Sequence, residues 1–181
     1  MRLLCLLMLA GGLLACSDPN QLAPATSKNR VDTLTLGALR GTPIQTPSAY
    51  SVTDGDIRTD QTSAFDFAYD VDDQGRQVFL PQAVLDIQVG NSVRPGLQPT
   101  MRAFDDINIA AQNGYITRDT IPVQVGERYL VRSRLVCSLG VPQYAKLEIL
   151  SADDAARTIT FRALANNNCG YRSLKSGIPR Q

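Results

Sequence analysis

The chain has 181 residues, with 18 basic and 17 acidic side chains and no histidine or tryptophan. A nearly neutral chain lacks the positive field that attracts nucleic acid. The absence of histidine excludes a histidine general base, a Ser/His or Cys/His nucleophile pair and His-ligated zinc or haem. Fifteen of the acids are Asp and fifteen of the bases are Arg. The scarcity of Glu and Lys, which are common on helix surfaces, favours strands and turns.

The first 15 residues are typical of a signal peptide. Arg2 supplies the positive charge at the start, and residues 3–14 form an uninterrupted apolar run. A run of this length is too short to cross a bilayer as a helix, which takes about 20 residues. The sequence therefore predicts that the rest of the chain is exported.

The end of this leader resembles the lipobox of bacterial lipoproteins. In that family leucine lies three residues before an acylated cysteine and a small residue lies just before it, an order matched by Leu13, Leu14, Ala15 and Cys16. The resemblance implies a thioether-linked diacylglycerol and an amide-linked acyl chain on Cys16, which together anchor a protein stably. Because Ser17 follows and not aspartate, the family's sorting rule implies the outer membrane, on its periplasmic face or at the cell surface. The alternative is an ordinary secretory leader.

The remainder of the chain divides into a tether and a domain. Residues 16–30 are polar and rich in Pro, Asn, Ser and Thr, with few apolar side chains to bury, so we expect a flexible tether after Cys16. Residues 31–181 are long enough to bury a core, and we expect them to form a single β-rich domain.

A hairpin is predicted in the first half of this domain. In residues 65–71 aromatic and aliphatic side chains alternate with polar ones, which predicts a strand whose other side, carrying Asp66 and Asp70, faces solvent. Residues 72–75 have the composition of a turn, and residues 77–80 are again extended. The two extended segments are therefore expected to pair as a hairpin.

The segments on either side of the hairpin are less regular. Residues 31–39 are expected to add a short first strand, although glycine and proline interrupt the pattern. Residues 84–89 are a further extended candidate. The prolines and glycine of residues 95–99 predict a loop, and residues 100–107 are expected to form one or two helical turns.

A meander is predicted in the last third of the chain. Residues 115–125 and 127–137 are expected to be strands joined at Gly126, followed by strands at residues 144–150 and 158–164. Alternate residues of the last three strands are apolar, so each has one side for a core. The expected fold is all-β, an antiparallel sandwich or open barrel of about seven to nine strands.

The lipoprotein resemblance accounts for two of the four cysteines, since Cys5 would leave with the leader and Cys16 would carry the lipid. Cys137 and Cys169 then remain in a compartment that oxidises thiols. Because strand direction reverses at each turn of the meander, both emerge at the same end, one strand apart. A disulfide between Cys137 and Cys169 is predicted to staple the C-terminal meander.

A second resemblance covers most of the domain. The run Asn-Cys-Gly-Tyr-Arg-Ser-Leu that begins at Asn168, with residues 65–70 and 144–146, resembles segments of secreted and lipid-anchored bacterial proteins of unknown function. The similarity spans residues 60–179. It implies a fold neighbourhood and no known chemistry.

Calcium binding is a weak interpretation of the aspartates. Asp70, Asp72 and Gly75 match the first, third and sixth positions of a calcium loop, but the fifth position is glutamine and the twelfth is proline. A polar hairpin turn is the preferred interpretation. The aspartates within residues 54–60 form a second group of similar quality. The sequence predicts no metal site and no cofactor.

Paired carboxylates raise the possibility of glycoside hydrolysis, which uses two of them about 5 to 10 Å apart. The candidate pairs are Asp66 with Asp70 and Asp105 with Asp106. Aspartate is abundant in this turn-prone chain, however, and no tryptophan marks a sugar subsite. A hydrolase acting on envelope glycans is therefore the alternative function and not the main prediction.

Three arginines are the remaining candidates for a site. Arg128, Arg132 and Arg134 lie on one side of the predicted strand 127–137 and could bind phosphate or carboxylate, which guanidinium groups hold in bidentate fashion. A solvated face neutralised by aspartates of a neighbouring strand explains the same pattern and is preferred.

These observations predict a lipid-anchored, non-catalytic protein of the bacterial envelope that serves as a binding or structural module. We expect the lipid on Cys16 to hold it at the membrane. An envelope protein or glycan is the expected partner, and nucleic acid is not. No residue is predicted to be catalytic.

Overall fold

The computed structural model describes residues 22–87 and 93–180. Within these ranges the protein forms ten β-strands and two short 3₁₀ helices, Gln82–Leu85 and Phe104–Asp106, and no α-helix. The strands are β1 (Val31–Gly37), β2 (Ala49–Ser51), β3 (Gly55–Ile57), β4 (Phe67–Val71), β5 (Gln77–Pro81), β6 (Gly96–Thr100), β7 (Ile121–Pro122), β8 (Arg128–Leu135), β9 (Pro142–Asp153) and β10 (Thr158–Asn166).

The strands form two five-stranded sheets in which all pairings are antiparallel. The first sheet has the order β1-β10-β9-β8-β6, and the second has the order β3-β2-β4-β5-β7. Buried side chains from both sheets form one core between them, with Phe67 and Phe79 from the second sheet against Tyr129, Leu147 and Phe161 from the first. The predicted antiparallel sandwich is confirmed, with ten strands where seven to nine were expected.

The predicted meander is the centre of the first sheet, where β8, β9 and β10 pair in sequence order. The side chains expected to face the core do so because alternate residues of a strand point to the same side. Those in the core are Tyr129, Val131, Ala145, Leu147, Ile149, Ile159, Phe161 and Ala163.

The predicted hairpin of β4 and β5 is confirmed, and its turn contains Gly75 with a φ of +77°, a conformation that glycine adopts readily. The prediction that the side of this strand carrying Asp66 and Asp70 faces solvent is wrong. Asp66 is 0% exposed and Asp70 is 4% exposed. A second apolar cluster, formed by Phe65 and Ala68 with their neighbours, covers the outer side of this sheet, so β4 is buried on both faces.

The outer side of the first sheet is covered in a similar way. Phe104 and Ile107, from the segment after β6, pack with Leu130 and Tyr144 on the outer face. Lys146 is 3% exposed within this layer, and its Nζ donates hydrogen bonds to the carbonyl oxygens of Phe104 and Ile107, at 2.8 and 3.0 Å. Burial lowers the pKa of this ammonium group. Lys146 therefore fastens the 3₁₀ segment to the sheet.

Three predicted segments differ from the structure. Residues 84–87 are not extended, because Val84 and Leu85 belong to a 3₁₀ helix, while residues 88–89 lie outside the described ranges. The predicted loop at residues 95–99 contains the edge strand β6. Proline is tolerated at a sheet edge, where its missing N–H leaves no neighbour unpaired. In the predicted strand 115–125, only Ile121–Pro122 is a strand, and an isolated bridge pairs Ile116 with Leu97.

The segment after β10 is attached both to Cys137 and to the residues before β1. Cys137 and Cys169 form a disulfide, as predicted, with their Cα atoms 5.7 Å apart. Beside it, the Oδ1 of Asn168 accepts hydrogen bonds from the backbone N–H groups of Thr26 and Ser27, both at 2.9 Å. The described part of the expected tether thus lies against the domain, while residues 16–21 are outside the described ranges.

Candidate functional site

A cavity of about 330 Å³ lies at one open edge of the sandwich, between β1 of the first sheet and β3 of the second. Both strands are the last in their sheets, so no further strand closes the gap between them. The volume is at the lower end of the range for small-molecule pockets. The edge geometry thus leaves a concave site between two faces that are otherwise packed.

Asp32 and Asp56 face each other across this cavity because of strand register. Asp32 pairs with Ala163 and has the same parity as Leu34, so it lies on the core side of β1. Asp56 pairs with Tyr50, a core residue, and therefore shares its inner face of the second sheet. Both carboxylates are exposed at the rim, and neither forms an ion pair or a side-chain hydrogen bond within the described part of the chain.

The third carboxylate at the rim, that of Asp54, has a hydrogen-bond donor and a cationic neighbour within the protein. Asp54 lies in the turn between β2 and β3, where its Oδ2 accepts a hydrogen bond from the Ser51 hydroxyl at 2.9 Å. The same oxygen is 3.6 Å from Nη2 of Arg134. Among residues 22–87 and 93–180, no lysine or arginine lines the cavity. The uncompensated charge at the site therefore comes from Asp32 and Asp56.

The inner wall of the cavity is apolar apart from one hydroxyl. Leu34, Val52, Ala163 and Ala165 supply aliphatic surface beside Tyr50. Tyr50 itself is 2% exposed. The inner wall therefore offers a ligand a mostly apolar surface.

Tyr50 is held by aromatic neighbours in the core. Its ring packs on Phe67 and Phe161, with centroids 5.4 and 5.7 Å apart. Burial raises the pKa of the Tyr50 phenol, and the nearby charges of Asp66 and Asp32 raise it further.

Asp66 lies behind the cavity and joins the two sheets. Its Oδ2 accepts a hydrogen bond from the Val52 N–H at 2.7 Å, and its Oδ1 accepts one from the Arg134 N–H in β8 at 2.8 Å. Burial raises the pKa of Asp66 to about 6, although these donors and the Arg134 guanidinium act in the opposite direction. Asp66 is therefore a structural connection between the sheets.

The candidate catalytic pair of Asp66 and Asp70 does not come together. Four residues of strand separate them by about 13 Å, beyond the spacing that glycoside hydrolysis uses. Asp70 is instead ion-paired with Arg40, at 2.8 Å between Nε and Oδ2. The second pair, Asp105 and Asp106, lies in the 3₁₀ helix on the outer side of the first sheet.

The turn that was considered as a calcium loop is closed by hydrogen bonds within the hairpin. Asp72 Oδ1 accepts hydrogen bonds from the backbone N–H groups of Gln74 and Arg76, both at 2.9 Å, as in a polar hairpin turn. Of the aspartates within residues 54–60, Asp60 is paired with Arg58 away from the cavity. No group of three or more metal-ligating side chains converges anywhere in the described ranges.

The predicted arginine face is occupied by intramolecular partners. Arg128 Nη1 lies 3.4 Å from a carboxylate oxygen of Glu148. Arg132 donates to the carbonyl oxygen of Arg94 and lies over the ring of Tyr115, 4.8 Å from its centroid. Arg134, as described above, pairs with two aspartates. Each guanidinium thus has a structural partner, and anion binding at this face stays a prediction.

Comparison of the chain with protein-family models, with curated proteins and with solved structures finds no match. The leader and Cys16 lie outside the described ranges. No helix in the described part of the chain is long and apolar enough to span a membrane. Lipid anchoring and the two family resemblances therefore stay predictions.

Sequence reasoning did not find Asp32 or Tyr50 as site residues. The available signal was the alternation of Asp32 with Leu34 and Leu36, which places an acid on the core side of the first strand. Its meaning depends on β1 being an edge strand beside β3. That neighbour relation comes from the packing of two sheets and not from any local pattern.

Proposed function

We propose that this protein is a lipid-anchored, non-catalytic binding module of the bacterial envelope that takes a small ligand into the edge cavity. The observation that carries the proposal is the cavity itself, which combines an apolar wall with charged groups at its rim. Ligand sites commonly combine a mostly apolar lining with a few directed polar groups.

Two further features support the envelope location. The disulfide between Cys137 and Cys169 suits an oxidising compartment outside the cytoplasm. The lipobox-like motif at residues 13–16 suits attachment at Cys16, and the rest of the chain then remains free to meet ligands from the aqueous side.

Anchoring is tested by detergent phase partition of the full chain expressed with its leader. The wild type is expected in the detergent phase and Cys16→Ala in the aqueous phase. Cys5→Ala is the matched control, because it removes a cysteine of the leader without touching the acylated position. If wild type and Cys16→Ala both partition into the aqueous phase, the anchoring proposal is wrong.

Placement within the envelope is tested by substituting Ser17, the residue after Cys16, and separating the two membranes. Ser17→Asp is expected to move the protein from the outer-membrane to the inner-membrane fraction, whereas Ser17→Ala leaves it in place. Identical distribution of all three proteins would contradict the outer-membrane placement without affecting the lipid itself.

Ligand binding is tested by filling the cavity. Ala165 lines it and is only partly buried, so Ala165→Leu adds volume where the sandwich is open. We expect small amphiphilic compounds to stabilise the wild type against heat and to leave Ala165→Leu unchanged, since a ligand stabilises the state that binds it. Equal stabilisation of both proteins would place the binding elsewhere.

A further inference from the structure

We propose that the free edge of β1 binds an extended segment of a partner polypeptide, which adds a strand to the first sheet and carries a lysine or arginine opposite Asp32. The inference goes beyond the proposed cavity ligand, because it uses backbone groups of β1 as well as side chains of the cavity. It is carried by the unpaired backbone of β1 and by the charge of the cavity beside this edge.

The hydrogen-bonding pattern of β1 shows which of its backbone groups face away from the sheet. In an antiparallel pair, successive residues point their N–H and C=O groups alternately toward the neighbouring strand and away from it. The N–H of Ala38 donates to the carbonyl oxygen of Arg157 at 2.9 Å and continues the β1–β10 register, so the even-numbered residues of β1 bond to β10. Val31, Thr33 and Thr35 therefore direct their N–H and C=O groups to the free edge.

The protein covers both ends of this edge with its own chain. Before β1, Asn29 and Gly177 exchange backbone hydrogen bonds of 2.9 and 3.0 Å. At the end of β1, the N–H of Gly37 donates to the carbonyl oxygen of Pro47 at 2.8 Å. Between these contacts, residues 31–35 have no backbone partner on that side within the described part of the chain. A window the length of a short strand is thus left open.

The other edge of the same sheet carries protections that β1 lacks. In β6 the N–H and C=O of Leu97 are bonded to Ile116, and Pro99 has no N–H to offer. Covering segments, prolines and lysines are common devices against pairing with a further strand. β1 contains no proline and no lysine, and its residues 31–33 and 35 are exposed. An open edge of this kind is a template for strand addition.

The parity of β1 decides which side chains of an added strand reach the cavity. Asp32 and Leu34 lie on the inner face, and Val52 and Ala163 form the apolar wall beside them. Toward the free edge these two residues occupy non-hydrogen-bonded positions, where opposing side chains come closest. On an antiparallel partner, the residue opposite Leu34 meets apolar surface, and the residue two places later meets Asp32. The edge therefore suits an aliphatic residue followed two places later by another type of side chain.

The charge of the cavity selects a basic side chain at that second position. Asp32 and Asp56 are exposed at the rim and form no ion pair within the ranges that the structure describes. A lysine or arginine opposite Asp32 supplies the missing positive charge. A second copy of this chain does not, because pairing β1 with itself about Thr33 places Leu34 opposite Asp32 and brings the carboxylates of both copies to one face.

Asp32 has a competing explanation that the experiment must separate. A charged side chain that points inward on an edge strand also protects the edge against pairing. In that case Asp32→Asn increases self-association, and peptides bind without any preference for a basic residue.

The test is fluorescence anisotropy of labelled five-residue peptides titrated with the full chain in detergent. The probe Thr-Val-Thr-Lys-Thr places its valine opposite Leu34 and its lysine opposite Asp32. Replacing the lysine with norleucine should weaken binding about fivefold, as for loss of one exposed charge pair, and glutamate should weaken it further. Binding of the lysine peptide should also weaken as salt is raised, because the rim charges are screened.

Backbone pairing is tested by N-methylation of the lysine peptide. A methyl group on the nitrogen of its third residue, opposite Thr33, removes a donor to the edge and should weaken binding at least about tenfold. The same group on the second residue points away from β1 and is the matched control, with binding little changed. Binding of the lysine peptide should slow amide hydrogen exchange at Thr33 and Thr35, and not at Leu34, whose N–H already bonds to β10.

Variants of the protein locate the edge. Thr33→Pro removes an N–H that faces the edge and should weaken binding of the lysine peptide at least about tenfold, whereas Thr33→Val keeps the N–H and should bind as the wild type does. If Thr33→Pro does not fold, the methylated peptides test the same bonds on the wild type. Asp32→Asn should abolish the preference for lysine over norleucine. Asp119→Asn, at an exposed position outside the cavity lining, should leave that preference intact.

Three outcomes would overturn the inference. One is equal binding of the lysine, norleucine and glutamate peptides, and another is equal binding of the two methylated peptides. The third is a dimer of the wild type in sedimentation that Thr33→Pro abolishes, which would assign the edge to a second copy. None of these results affects the proposed small ligand, which Ala165→Leu tests separately. Equal heat stabilisation of wild type and Ala165→Leu would in turn leave strand addition intact.

Discussion

Loss of the Cys137–Cys169 disulfide is expected to destabilise the protein by an amount that follows from its position in the chain. The bond joins the end of β8 to the segment after β10, a sequence separation of 32 residues. In the chain-entropy model, a closed loop of this length restricts the unfolded ensemble by about 3.7 kcal/mol at 25 °C. That is a large share of the roughly 5 to 15 kcal/mol that stabilises a typical domain.

The perturbation is the double variant Cys137→Ser, Cys169→Ser, which removes the bond and leaves no free thiol at either position. Urea denaturation should show a lower midpoint and a free energy of unfolding reduced by about 3 to 4 kcal/mol. For a domain of this size the melting temperature should fall by roughly 7 to 15 °C. Wild type treated with reductant is the control, and it should approach the double variant.

Two results would refute this reasoning. A loss below about 1 kcal/mol would mean that the unfolded chain is already restricted in this region, so that loop entropy is not the source of the stability. Alkylation of the unreduced protein followed by peptide mapping provides the second check. Modified Cys137 and Cys169 in that sample would mean that the two thiols are not joined in the folded protein.

The remaining predictions concern buried polar groups and one close backbone approach. Burial raises the pKa of Asp66 from 3.8 to about 6, so between these pH values the folded state holds a proton that the unfolded state releases. The free energy of unfolding should therefore fall by about 3 kcal/mol as the pH rises from about 4 to about 6. Urea denaturation across this pH range should show that fall in the wild type and not in Asp66→Asn. Lys146→Met removes the lysine hydrogen bonds to the carbonyl oxygens of Phe104 and Ile107 and should reduce the free energy of unfolding by about 2 kcal/mol. An unchanged urea midpoint would contradict the fastening role. Gly96→Ala would place a methyl group against the carbonyl oxygen of Ile116, so it should destabilise by about 1 to 3 kcal/mol, with faster hydrogen exchange at the Ile116 amide as the local measurement.

Local patterns predicted the parts of this fold in which sequence neighbours pair. The hairpin of β4 and β5 and the meander of β8 to β10 connect through short turns, so alternation and turn composition were sufficient to identify them. The disulfide followed from the same parity argument, because strand direction places both cysteines at one end of the meander.

Patterns of alternation did not reveal which faces other segments cover. The sequence of β4 alternates as a half-exposed strand does, yet Asp66 and Asp70 are buried, because an apolar cluster lies against the outer side of the sheet. The prolines and glycine of residues 95–99 predicted a loop, yet Gly96–Thr100 forms the edge strand β6. In both cases the outcome depended on neighbours that are distant in sequence.

The candidate site also depends almost entirely on neighbours that are distant in sequence. The sequence by itself determined an all-β chain and the cysteine pair of the disulfide, and it predicts a leader with a lipobox-like motif, since each depends on residues that are close together or simply counted. Only the tertiary structure decided that Asp32 and Asp56 line the same cavity as Tyr50. The physical reason is that β1 pairs with β10, more than 100 residues later in the chain, and the stacking of two sheets then places its inner face beside β3. No local property of these strands specifies that arrangement.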